Sequence, residues 1–109
     1  MPKALGEAQF VAINTAAGDT TLVAAQAAGV TIRVVAFFIL ATTAAAVVSF
    51  QSGTGGTALT GPMTTAVGAP IFSVDSAFGN FETAAATLLN LHQTGTVQLS
   101  GWLVWCTAS

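Results

Sequence analysis

Charge is what this sequence has least of. Lys3, Glu7, Asp19, Arg33, Asp75 and Glu82 are all of it in 109 residues, where an average protein has about a quarter of its residues charged. Two cations and a net charge of −2 exclude a nucleic-acid binder, which needs several Lys or Arg contacts to phosphate. They exclude polybasic attachment to a membrane surface for the same reason. No lysine follows Lys3, so there is no Walker A loop. The single cysteine, Cys106, cannot close an internal disulfide and suits a fold made in a reducing cytoplasm. The run MPKALGEAQFVAIN has no continuous apolar core, and no secretory leader is expected from it.

Catalytic and metal-binding side chains are equally sparse. His92 is the only histidine, and nothing near it in sequence makes a nucleophile elbow or a triad. His92, Cys106, Asp75 and Glu82 are too scattered to suggest the three or four ligands of a metal site. Asp75 and Glu82 as paired catalytic carboxylates are a weaker reading than solvated loop residues or partners for Arg33. The glycine run GTGGTA at 53–58 matches a dinucleotide fingerprint, but that motif needs a helix directly after it. Gly61, Pro62, Gly68 and Pro70 forbid one, and a hairpin tip accounts for the glycines. The expectation is no enzyme, no cofactor and no metal.

What is abundant is apolar residues, at 53% of the chain. One domain of this size buries roughly 65% of its unfolded surface, and a charge-poor remainder must be covered by membrane or by partners. The test is VTIRVVAFFILATTAAAVVSF, residues 30–50. It is long enough for a membrane helix, but Arg33 lies inside it, Thr42 and Thr43 interrupt it, and no downstream cation orients it. A buried helix is disfavoured by its β-branched and aromatic residues. A strand fits best. Ile32, Val34, Ala36, Phe38 and Leu40 share one face; Thr31, Arg33, Val35, Phe37 and Ile39 share the other. Both faces are apolar after Arg33, so both need cover. A turn at 41–44 and a returning strand at 45–52 follow.

Turn signals recur along the rest of the chain at AAGD, SGTGG, TGP, GAP, FGN and QTG. Short strands with such punctuation predict an all-β, antiparallel sandwich or barrel. In the last segment Val97, Leu99, Gly101, Leu103 and Trp105 share one face, while Gln98, Ser100, Trp102 and Val104 share the other. NFETAAATLLNLH also carries helical spacing; a turn followed by a strand from about Thr87 is the favoured reading. Arg33 on an apolar strand calls for a carboxylate, Glu82 or Asp75, from its own chain or a neighbour. Trp102 and Trp105 fit a subunit interface or a sugar groove.

The residues that carry these readings also carry a resemblance. TIRVVAFFI, FQSGTGGTALTGP, FETAAATLLNL and VQLSGWLVW, spanning about Val30 to Trp105, resemble small capsid decoration (cement or head) proteins of tailed bacteriophages. The pattern has a bulky aromatic before Phe81-Glu82-Thr83 and a glycine after the alanines, where this chain has Asn80 and Ala86. The resemblance implies a jelly-roll-like sandwich of about eight short strands. It implies a homotrimer on the capsid surface, made in the host cytoplasm, that binds the major capsid protein between capsomers. On that reading residues 1–14 are an N-terminal arm, with Leu5, Phe10, Val11 and Ile13 touching the shell, and 15–109 are the sandwich. Phe37, Ile39, Trp102 and Trp105 would line the trimer interface, with the Arg33 ion pair in or between subunits. The rival readings are a tail, neck or head-fibre component, a small carbohydrate-binding module, and a small membrane protein such as a holin.

Overall fold

The computed structural model describes residues 4–73 and 79–109; Asp75 lies outside the described residues. The chain folds as two antiparallel sheets. The strands are β1 (Gln9–Thr15), β2 (Asp19–Val23), β3 (Thr31–Ala41), β4 (Ala46–Ser52), β5 (Thr57–Ala58), β6 (Met63–Thr65), β7 (Ile71–Ser73), β8 (Phe81–Glu82), β9 (Leu89–Gln93) and β10 (Leu99–Ala108). Sheet A runs β1-β10-β3-β7, with β8 on β3 beside β7. Sheet B runs β2-β9-β4-β5, with β6 on β4 beside β5. The short pairs β5/β6 and β7/β8 each share one sheet position. The ten strands of the described residues therefore occupy eight positions, and the chain crosses between sheets at almost every step from one position to the next. That is jelly-roll connectivity.

The core lies between the sheets. Phe50, Ile32, Ile39, Leu89, Leu91, Leu99, Leu103, Val34 and Val48 are the large side chains sealed there. Phe37 of sheet A meets Phe50 of sheet B edge to face, with ring centroids 5.1 Å apart. Phe81 packs on Phe50 at 5.2 Å. Among the described residues, no helix is long and apolar enough to cross a membrane. Residues 30–50 instead form β3, a turn and most of β4. The glycine run at 53–56 turns β4 into β5 with Gly53 and Gly55 at positive φ. No helix follows it.

One detail of β3 overturns the simple alternation. Val104 pairs with Ala36, and Trp105 pairs with Val34, so the register slips and Val35 is left over. This is a β-bulge, and it reverses which residues face inward. Ile32 and Val34 point into the core before it; Phe37, Ile39 and Ala41 do so after it. The bulge is held from the side. Asn80 donates its amide hydrogens to the Val35 carbonyl at 2.6 Å and to Ser73 Oγ at 3.1 Å. Ser73 Oγ in turn accepts from Phe37 N–H at 3.2 Å. Opposite, Gly101 runs so close to β3 that a Cβ would lie 1.8 Å from the Phe38 carbonyl oxygen, and its φ is +150°. Only glycine fits there.

The N-terminal segment is also different from the arm expected of it. Residues 9–15 pair along their whole length with β10, and Ile13 is in the core at 2% exposure. Upstream, Ala4 and Gly6 bond to the backbone of Ser109 and Thr107. After β8 ends at Glu82, residues 83–93 are a turn followed by β9. Ala86, where the resembled pattern has glycine, is the one non-glycine residue at positive φ among those described, at 54°.

Candidate interaction surface

The bulge and the register together decide what sheet A shows on its outer side. Ala12 pairs with Trp102, Trp102 with Phe38, and Phe38 with Phe72. One row across four strands therefore carries three aromatic rings. Phe38 and Trp102 are nearly parallel, with centroids 6.1 Å apart and 11° between planes. Phe38 and Phe72 are 6.3 Å apart at 25°. The next row is Phe10, Val104 and Ala36. Phe10 and Phe72 are 68% and 63% exposed. Leu40 lies one row the other way, opposite Ser100.

This corrects the expected interface. Phe37, Ile39 and Trp105 face the second sheet and are buried within one copy, at 6%, 0% and 8% exposure. Of the four residues named, only Trp102 lies on the outer face. Phe38 and Phe72 belong with it, and reading β3 as an unbroken strand hid Phe38's outward direction. Of the expected shell-contacting residues, Ile13 is core, Val11 packs against the core, and Leu5 and Phe10 are exposed.

Beyond the bulge the same outer face turns polar. Glu82 stands opposite Arg33 in the register, and Arg33 Nη2 meets Glu82 Oε1 at 3.0 Å. Thr31 Oγ1 donates to Glu82 Oε2 and sits against the Ala108 carbonyl at 3.2 Å. Gly79 lets the chain lie on the Arg33 stem, where a Cβ would come within 2.5 Å of Cγ. Cys106 is across from Arg33. It is buried, and burial pushes its thiol up, so it stays protonated and unreactive.

Sheet B's outer face is of another kind. Asp19, His92 and Ser49 are directly opposite one another on β2, β9 and β4. Asp19 Oδ1 lies 2.9 Å from His92 Nδ1. Asn90 donates to Asp19 Oδ1 and to Gln51 Oε1, both at 2.9 Å. Gln51 Oε1 also accepts from Gly55 N–H at 3.1 Å. Asn90 Oδ1 is buried without a hydrogen-bond partner. The hydrogen bonds from Asn90, then from His92, hold the Asp19 carboxyl below its usual range. Asp19 is thus the orienting partner of His92, which sequence reading missed because the two are 73 residues apart. Among the described residues, no three His, Cys, Asp or Glu side chains cluster as a metal ion requires.

No protein-family model matches the sequence, and no curated protein matches it. A solved structure from Bacillus endospore appendages, described as a family of disulfide-linked pili, is similar in fold. Its TM-score is 0.53 at 12% identity, over 98% of this chain and 89% of that one. At this identity the likeness concerns the fold alone.

Proposed function

We propose that the chain is a non-enzymatic structural protein of a tailed-bacteriophage virion, a capsid decoration protein. It binds between capsomers as a homotrimer and stabilises the head. The observation that carries the proposal is the outward row of Trp102, Phe38 and Phe72, flanked by Phe10. A sheet face of aromatic rings on a chain with six charges gains by being covered. Each large apolar side chain removed from water contributes about 1.5–3 kcal/mol, and aromatic anchors dominate contacts between subunits. The resemblance over Val30–Trp105 supports the setting. A protein that binds only the assembled shell stabilises it by mass action, and that task needs no reactive group.

A fibre or filament component is the second reading, since the fold neighbour builds pili. Its links are disulfides, whereas the single cysteine here is buried. Copy number in purified particles, by quantitative mass spectrometry against the major capsid protein, separates the two. Hundreds of copies in a simple ratio to the capsid protein are expected. A few to a dozen would move the chain to the neck, tail or a fibre, and absence from particles would overturn the virion reading. A sugar-binding module instead predicts that Trp102→Ala abolishes glycan binding and leaves assembly intact.

A further inference from the structure

The sandwich has four sheet edges, and they are not alike. An exposed edge offers unpaired N–H and C=O groups to any passing strand, so proteins blunt it with short strands, charges, prolines or bulges. The β5/β6 edge is made of two and three residues, with Gly61 and Pro62 between. Among the described residues, the β7/β8 edge is made of three and two residues. The β2 edge carries Asp19 and a register slip between Thr21 and Val23. The β1 edge has none of these devices. It is seven residues of QFVAINT, without charge, proline or glycine, in unbroken register with β10 from Gln9 to Thr15.

Which groups that edge offers follows from the ladder. Thr42 N–H donates to the Gln98 carbonyl, so Gln98 and the even-numbered residues 100–104 of β10 turn their backbone toward β3. In an antiparallel ladder the alternate residues turn the other way. Leu99, Gly101 and Leu103 therefore bond to Thr15, Ile13 and Val11, their register partners. Phe10, Ala12 and Asn14 are left with N–H and C=O pointing off the free edge.

We infer that β1 is a docking edge for the β1 strand of a second copy, paired antiparallel about a two-fold axis at Ala12. On the core side the sequence is complementary to itself in that register. Ala12 meets Ala12 of the second copy. Val11 meets Ile13 on the core side, and Gln9 meets Thr15, apolar with apolar and polar with polar. Phe10 meets Asn14 on the outer side. No like charges face each other, because β1 has none. A two-fold contact uses the same patch on both copies and joins two A sheets into one. Its aromatic outer face then runs on across the seam. The contact differs from the aromatic row and does not close a trimer; it joins one oligomer to the next.

Cysteine pairing in a Cys106→Ala background tests the register. Hydrogen-bonded antiparallel partners have Cα atoms about 5.5 Å apart, within disulfide reach. Ala12→Cys should crosslink to a covalent dimer under copper–phenanthroline, while Asn14→Cys, whose partner is Phe10, should not. Ala12→Pro removes an N–H that no intrachain bond uses, so it should fold as the wild type does by circular dichroism yet lose assembly beyond the trimer. Absence of the Ala12→Cys dimer, or equal crosslinking by Asn14→Cys, would overturn the inference. So would a folded Ala12→Pro protein with unchanged assembly. Loss of trimers in aromatic-row variants with the Ala12→Cys crosslink retained would separate this contact from the proposed function.

Discussion

The two outer faces of the sandwich solve the same problem in opposite ways. Sheet B meets water with Asp19, His92, Gln51 and Ser49, and the buried Asn90 beneath them ties Asp19 to Gln51. Sheet A presents Phe10, Phe38, Phe72 and Trp102, and the ion pair of Arg33 with Glu82 is set beyond the bulge. Strands of one small domain thus carry one polar, hydrogen-bonded face and one aromatic face. An exposed apolar patch of this kind fits the contact surface proposed above.

The bulge at Val35 creates this difference, since it sends Phe37 inward and Phe38 outward from adjacent positions. Replacing each in turn is the strongest way to break the comparison. Phe37→Ala removes a ring packed on Phe50 and Phe81 and should cost about 3–5 kcal/mol of stability in urea unfolding. Phe38→Ala should cost the isolated monomer about 1 kcal/mol or less and show its effect in assembly instead.

The polar end of sheet A gives a smaller effect. Glu82→Gln leaves Arg33 without its carboxylate partner and weakens the acceptor for Thr31. The pair is partly exposed, with side chains at 18% and 27%, so a loss of about 1–2 kcal/mol is expected, well below that of a sealed pair. Ala86→Gly should do the reverse. It relieves a left-handed alanine and should raise stability by about 0.5–1 kcal/mol in the same assay.

Sheet B's network should register in pH dependence, with the smallest effect of the set. The Asp19 carboxyl is held below its unfolded value by Asn90 and His92. A depressed carboxylate contributes stability above the unfolded value and loses it as pH falls through the folded one. Wild-type stability should therefore gain an extra downward slope below about pH 4. Asp19→Asn should lack that slope, measured as Tm against pH.

Much of the fold is legible in the sequence. The all-β class, the hairpin at the glycines, the turn ahead of β9 and the alternation of β10 all follow from local pattern. The inward set of β3 does not, because a one-residue bulge leaves no mark where both faces are apolar. Nor does the place of β1, whose partner β10 is near the other end of the chain. That Arg33 needs a carboxylate follows from its strand; that Glu82 supplies it depends on β8 pairing with β3. The aromatic row shares this dependence. Trp102, Phe38 and Phe72 are far apart in sequence, and only the register brings them into line.

The central claim is that the outer face of sheet A, and no core residue, holds the proposed trimer together. Sedimentation equilibrium of the wild type beside a Phe38→Ser, Trp102→Ser double variant tests it most directly. The account predicts a wild type that sediments as trimers or as trimers joined through β1, and a folded variant no larger than a β1-paired dimer. A variant that keeps the wild-type mass, or a wild type that sediments as a monomer, would contradict it.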